Sequence, residues 1–419
     1  MLILFMLLVT LGSYVKIKFV VIIVYLVITV FLSLMHPRKM ASDFVHSPVM
    51  ICWVIYCVVG FISTVFIEHE TDLYIVQTQL SFTFILFVLT RYAEPGVFLR
   101  MFRLMMLVLS GAAFFQEITG IFLFRFLKEG TPFPYVDLWS LGISSLFEYR
   151  HYFGCYLLLA FFSVIYYPEK KMLYNLLYGA VFTVAIVLTY TRCIWIAFAA
   201  GIVAVVIRAV GDRIRQKGKR EKKTFKPVLL IPILLSAALL VLLSFVFRKN
   251  ILSVFANIKL RLVSALDPTS DSVRNRLFSV QHGTAYLLSD WQRNIWIGMG
   301  YGSPLRWLQT AEGASFRDAI DCQYVQTFME TGLIGLGSLI AMTVYSVSYF
   351  FRAPDRKSIL FSLGFLMMAM AYFFFEVIVV SSSVFALWSL IVAYLCTGRE
   401  GRRLIAEETL KRHPDKKKR

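Results

Sequence analysis

Nine lysines and arginines fall between residues 248 and 321: Arg248, Lys249, Lys259, Arg261, Arg274, Arg276, Arg293, Arg306 and Arg317. They share that stretch with Asp267, Asp271, Asp290, Glu312, Asp318, Asp321 and a single histidine, His282. A guanidinium pairs bidentately with phosphate oxygens, so arginines gathered beside a membrane suit a phosphate or diphosphate carried on a lipid. A carboxylate among them can take the proton of an attacking hydroxyl once desolvation raises its pKa toward neutral. The same charges also suit a plain solvated loop. A further arginine, Arg192, stands in TYTRCIW (189–195), in a short turn between two hydrophobic runs. The six cysteines (Cys52, Cys57, Cys155, Cys193, Cys322, Cys396) fall almost all within or beside apolar runs, with no CxxC and no Cys/His ligand spacing. Neither a disulfide framework nor a zinc site is supported.

These groups must be held by elements that live in a membrane. Of 419 residues, 58% are hydrophobic and only 16% charged, with a mean hydropathy of +0.71. That lies well outside soluble composition. Near-continuous apolar runs about as long as a bilayer crossing indicate an all-α, polytopic protein, because a helix satisfies its own backbone where no water can. Windows of about nineteen residues give spans near 2–14, 17–35, 48–67, 72–90, 102–123, 151–167, 172–190, 193–210, 226–247, 322–350, 358–379 and 383–397. Twelve spans follow, the first one short or tilted. The formal charge of +18 is divided among loops that a bilayer separates, so nucleic acid is not the expected partner.

Charge also orients the chain. Loops at Arg38–Lys39, Arg91–Arg103 and Lys170–Lys171 are basic, whereas Glu68–Asp72 is acidic. Asp212–Lys226 carries eight basic residues against two acids, and the tail ends in KKKR. The positive-inside rule then puts both termini in the cytoplasm and three segments outside: about 124–150, the turn at 190–192, and the long loop 248–321. The expected organisation is an N-terminal bundle (1–247), an outer loop domain with surface helices (248–321), C-terminal spans (322–397) and a basic cytoplasmic tail (398–419). Within the outer loop, 254–266 and 275–291 space apolar residues as helices lying on a membrane do. WIGMGYGS (296–303) follows, where Gly298, Gly300 and Gly302 allow a tight turn. The strand that precedes a dinucleotide motif is absent, which excludes a Rossmann site.

Four elements in order, TYTRCIW (189–195), Arg276 in NRLF, WIGMGYG (296–302) and DCQYVQTFMETGLIGLGSLI (321–340), resemble the superfamily of O-antigen ligases and O-antigen or capsule repeat-unit polymerases. The likeness covers roughly residues 185–395. It implies a bacterial inner-membrane glycosyltransferase that takes a glycan from undecaprenyl pyrophosphate and passes it to a hydroxyl, with no metal, cofactor or nucleotide sugar. Ligases of the family open the last motif with His; here Asp321 leads and Cys322 replaces the usual Asn, which favours the polymerase type. On this resemblance Arg192 and Arg276 hold the pyrophosphate and Asp321 serves as base. Arg274, His282, Arg293, Arg306 and Glu330 join them as substrate-binding candidates, His282 being the fallback base and Glu330 a partner for a loop arginine.

Plainer roles stand beside these. Arg192 can snorkel from a helix end, and Asp321 can cap a helix N-terminus. Its apolar anchor begins near Leu333, about 18 Å along the helix. Glu117 and Glu376, near span ends, suit structural ion pairs. Glu148, Arg150 and His151, in a stretch with Trp139, could hold sugars or simply line the interface. The expected function is polymerisation of lipid-linked repeat units outside the cytoplasmic membrane. The alternatives are a ligase acting on lipid A-core and a flippase for the same lipid-linked glycan. Expected partners are that glycan, membrane lipids, and a chain-length regulator and flippase of the same pathway. No twofold repeat is visible, and an outer loop of this size suits chemistry better than transport.

Overall fold

A computed structural model describes residues 1–6, 18–35, 37–45, 47–67, 73–119, 142–147, 149–216, 291–303, 322–353, 355–375 and 382–396, with isolated residues elsewhere. The architecture of these residues is all helical. In chain order the helices are α1 (Lys18–Met35), α2 (Pro37–Val45), α3 (Pro48–Ile67), α4 (Leu73–Tyr92), α5 (Pro95–Thr119) and α6 (Arg150–Tyr166). They continue as α7 (Met172–Leu188), α8 (Arg192–Gln216), α9 (Trp291–Ile297), α10 (Gln323–Arg352), α11 (Arg356–Phe375) and α12 (Ser382–Cys396). Pro48–Phe66, Pro95–Thr119, Arg192–Asp212 and Gln323–Arg352 are long and apolar enough to cross a membrane. Val20–Met35, Met172–Leu188 and Val384–Cys396 are shorter apolar helices. The expected span 226–247 and the surface helices of the long loop lie outside the described residues, as does most of the expected first span. Of that first run, residues 2–6 are helical, with Leu2, Phe5 and Met6 buried.

Two boundaries differ from expectation for physical reasons. The basic loop at Arg38–Lys39 is instead the short helix α2, which opens on Pro37, a residue preorganised for a first helical turn. Helix α5 begins at Pro95, seven residues before the expected start at 102, and so carries Arg100 and Arg103. Arg103 is 2% exposed and is satisfied there: it donates to the Tyr167 carbonyl at 2.9 Å and the Ser163 carbonyl at 3.2 Å, and pairs with Glu169 at 2.5 Å.

The centre of the bundle is α6, apolar all round and buried from His151 to Val164, as expected of a helix with no lipid-facing side. Helices α5, α7, α8, α11 and α12 pack around it. Helix α3 packs on α10, and α12 lies on α4, with Trp53 at their junction. Trp53 stacks on Tyr56, meets Phe385 and Trp388, and donates its indole N–H to Thr83 Oγ1 at 2.7 Å. The outward faces of α1, α3, α8 and α10 expose Val27, Phe66, Val203 and Val344, an arrangement suited to lipid.

Polar contacts sort the connections into two ends. At one end Arg91 pairs with Asp43 at 3.0 Å, Arg103 with Glu169, and Arg208 donates to the Ala353 carbonyl at 2.7 Å. Ser47 reaches Cys396 there at 3.0 Å. This is the basic end. Helices α3, α6, α8 and α10 each have one terminus here and the other at the opposite end, where residues 142–152, 189–192, 298–303 and 322–332 gather.

Candidate functional site

Two structures occupy that opposite end. The first is the turn from α7 to α8. Thr189, Tyr190 and Thr191 are buried, and Tyr190 adopts a φ of 47°, a left-handed conformation that a bulky residue keeps only when its surroundings enforce it. The enforcement is visible. Thr191 Oγ1 donates to the Thr189 carbonyl at 3.0 Å, Trp195 donates its backbone N–H to the Thr191 carbonyl, and its indole N–H reaches the Ile186 carbonyl at 3.1 Å. From the other side Ile143 N–H donates to the Leu188 carbonyl at 3.0 Å. Gly142 sits so close that a Cβ there would lie 2.2 Å from the Thr189 carbonyl oxygen. Arg192, half-exposed, is the first residue of α8 and leaves this braced turn. A charge carried on a fixed backbone loses less entropy when it meets an anion than one on a mobile loop.

The segment that braces the turn is itself anchored. Gln116, buried near the end of α5, accepts the Ser145 N–H at 2.9 Å and the Ser144 N–H at 3.3 Å, while Ser145 Oγ donates to the Leu109 carbonyl at 2.7 Å. Glu117 is on the exposed face of the same turn. The polar residue that organises this corner is therefore Gln116. Of the possible sugar-holding group, Arg150 and His151 open α6 beside this segment, and Tyr149 stacks on His151 with ring centroids 5.4 Å apart. Trp139 and Glu148 lie outside the described residues.

The second structure is a clasp between the glycine loop and a broken helix. Helix α10 is interrupted at Gly332 (φ 62°, ψ −161°), a conformation open to glycine almost alone. The break separates an outer arm, 323–331, from the long apolar arm that begins at Leu333. Across the break lies the loop 298–303. A Cβ on Gly332 would come 2.4 Å from the Trp296 carbonyl carbon, and one on Gly298 would come 2.4 Å from that of Glu330. Backbone therefore rests directly on backbone.

Every amide of the loop is taken up by the protein. Gly298 N–H donates to the Asn294 carbonyl at 2.8 Å, Met299 to Met329 at 2.8 Å, Gly300 to Glu330 at 3.0 Å and Ser303 to Gly300 at 3.3 Å. Tyr301 N–H goes to Thr64 Oγ1 at 2.9 Å and Gly302 N–H to the Glu330 carboxylate at 3.3 Å. Such completeness is required by depth. Tyr301 is fully buried in a notch left by Gly60 of α3, seven residues, or roughly 10 Å, short of that helix's end at Ile67. Irregular backbone at that level survives only with its polar groups paired inside protein. The glycine loop is thus a packing clasp, with no amide left over to cradle a phosphate.

Glu330 is 1% exposed; its Oε1 accepts both the Gly302 N–H and the Gln326 side-chain N–H, the latter at 2.8 Å. Of the other expected site residues, Arg293 lies on α9, its side chain outside the described residues, and Arg274, Arg276, His282, Arg306 and Asp321 fall outside them altogether. Asp321 precedes Cys322, the described residue that caps the outer arm at its start. Sequence reasoning missed Thr64, Gln116 and Gln326. The available signal was polar side chains in apolar spans, where each needs a partner. Among the described residues no cluster of three or more His, Cys, Asp or Glu is placed to hold a metal.

Residues 177–340 match a family model described as O-antigen ligase. The match covers less than half of the chain and supports the likeness of that stretch to the O-antigen ligase and polymerase superfamily. The matched stretch holds both structures just described, the arginine turn and the clasp. No curated protein matches the chain. Members of the superfamily are membrane glycosyltransferase-like enzymes, ligases and polymerases.

Proposed function

We propose that this protein polymerises polysaccharide repeat units carried on undecaprenyl pyrophosphate, working at the outer face of a bacterial inner membrane. The observation that carries the proposal is the braced turn bearing Arg192, set in the matched segment at the end of the bundle opposite the basic loops. The positive-inside rule makes the basic end cytoplasmic, which turns Arg192 outward, toward a translocated lipid-linked glycan.

The chemistry asks for little more than placement. The bond between the anomeric carbon and the diphosphate breaks as an acceptor hydroxyl attacks, and the electron pair leaves on the diphosphate. Fixed guanidinium groups stabilise that developing charge best where water is excluded. Arg192 takes this role with Arg276. Asp321, at the head of the outer arm, accepts the hydroxyl proton, with His282 as the alternative base. Arg274, Arg293 and Arg306 supply further contacts to the diphosphate and sugars. No metal enters the scheme.

A ligase handing the finished glycan to lipid A-core is the second reading, favoured by the description of the matched family as O-antigen ligase. Asp321 in place of a leading His favours the polymerase. Surface polysaccharide from a deletion strain separates them: loss of a polymerase leaves single repeat units attached, loss of a ligase leaves none. Complementation with Arg192→Ala, Arg276→Ala or Asp321→Asn tests the roles. Normal glycan from both arginine variants at unchanged protein level would remove the diphosphate site.

A further inference from the structure

Glu330 lies where three pieces of chain meet. Its backbone carbonyl accepts the Gly300 N–H, its carboxylate accepts the Gly302 N–H, and the same oxygen holds Gln326 one turn earlier on the outer arm of α10. One residue therefore grips the loop twice and the arm once, two residues before the break at Gly332. Ser303, next to Gly302, and Cys322, whose carbonyl accepts the Gln326 N–H, flank the segment 304–321, which carries Arg306, Arg317 and Asp321 in sequence.

We infer that Glu330 is a positioning residue for glycan transfer: it fastens the glycine loop across the broken helix and so fixes the outer arm of α10, which Asp321 precedes in sequence. The inference rests on the glycosyl-transfer reading above. It assigns Glu330 the work of holding the loop and the arm, and no contact with substrate. What the clasp needs from residue 330 is an acceptor oxygen at the right reach. A glutamine keeps that oxygen; an alanine removes it; an aspartate draws it back by one carbon. The diphosphate is assigned to Arg192, on the α7–α8 turn, which is a separate element. Loss of the clasp must then slow transfer while leaving the principal contact to the diphosphate in place.

The test uses the full-length protein in two measurements: surface glycan in a deletion strain complemented with each variant, and binding of sugar-free undecaprenyl diphosphate to the purified protein in detergent. Glu330→Ala is expected to cut glycan about tenfold or more, a size suited to lost alignment, with lipid binding held within about twofold. Glu330→Gln should restore at least about half of the glycan, because an amide oxygen accepts the same two hydrogen bonds. Should Glu330→Ala fail to accumulate, Thr64→Val loosens the same loop from its other side by removing the acceptor for Tyr301 N–H. It should lower glycan by about threefold to tenfold with binding intact.

Glu330→Gln as inactive as Glu330→Ala at equal protein level would overturn the inference in favour of a charge role. Loss of lipid binding in Glu330→Ala or Thr64→Val, or full glycan from both, would overturn it as well. Arg192→Ala measured alongside separates the two ideas: it should lose lipid binding and glycan together, and normal behaviour there sinks the diphosphate site whatever Glu330 does.

Discussion

Arg192 is the residue to which we assign the diphosphate, and its value for that role lies in how little it has to move. The turn beneath it is held by Thr191, by both N–H groups of Trp195 and by Ile143, and it keeps Tyr190 in a left-handed conformation. Replacing Arg192 by alanine should reduce glycan synthesis by about 100-fold or more, the scale of losing a fixed charge-stabilising donor. Lysine keeps the charge without the planar fork, so Arg192→Lys should recover only part, about tenfold below wild type. Both are read from surface glycan normalised to protein in the membrane. At the same scale, the sequence offered Glu330 as a partner for a loop arginine, and among the described residues its carboxylate accepts from Gly302 and Gln326. The Gly302 amide is 28 residues away and Thr64 is 237 residues from Tyr301, pairings that no local pattern encodes.

Among elements, α10 decides the geometry of the site end. Its break was partly legible: the apolar anchor was expected to begin near Leu333, and the helix is interrupted at Gly332. The glycine loop was legible as a tight turn. Its use was not, because the positive φ angles of Gly298, Gly300 and Gly302 are visible only as glycines, and whether their amides meet a phosphate or a helix depends on the folded neighbour. Gly332→Ala tests the fit. The substitution puts a methyl against the Trp296 carbonyl and forces a side chain into a conformation that costs roughly 1–3 kcal/mol by itself. Glycan should fall to background, with a lowered unfolding temperature in detergent. At the other end, Arg103→Leu leaves Glu169 without its closest cation. A loss of about 3 kcal/mol is expected, seen as a lower unfolding temperature, while glycan per folded molecule stays near wild type because the change is remote from the turn and the clasp.

Across the whole molecule, charge and helix direction agree. Helices α3, α6, α8 and α10 run between an end rich in arginine pairs and an end built from the arginine turn and the clasp. Twenty helical residues span roughly 30 Å, about the thickness of a bilayer core, so the two ends face opposite sides. Alternation of basic and acidic loops in the sequence leads to the expectation of two such ends on opposite sides. What it could not carry was the central place of α6, since an all-apolar helix reads alike whether lipid or protein surrounds it. The direct measurement is side-specific labelling in intact cells with a membrane-impermeant maleimide, comparing Tyr149→Cys at the site end with Lys170→Cys at the basic end, each against the wild-type background. Labelling of residue 149 from outside, with residue 170 reached only after the membrane is opened, is the result expected if glycan transfer occurs outside. Labelling of residue 170 in intact cells, with residue 149 protected, would contradict it.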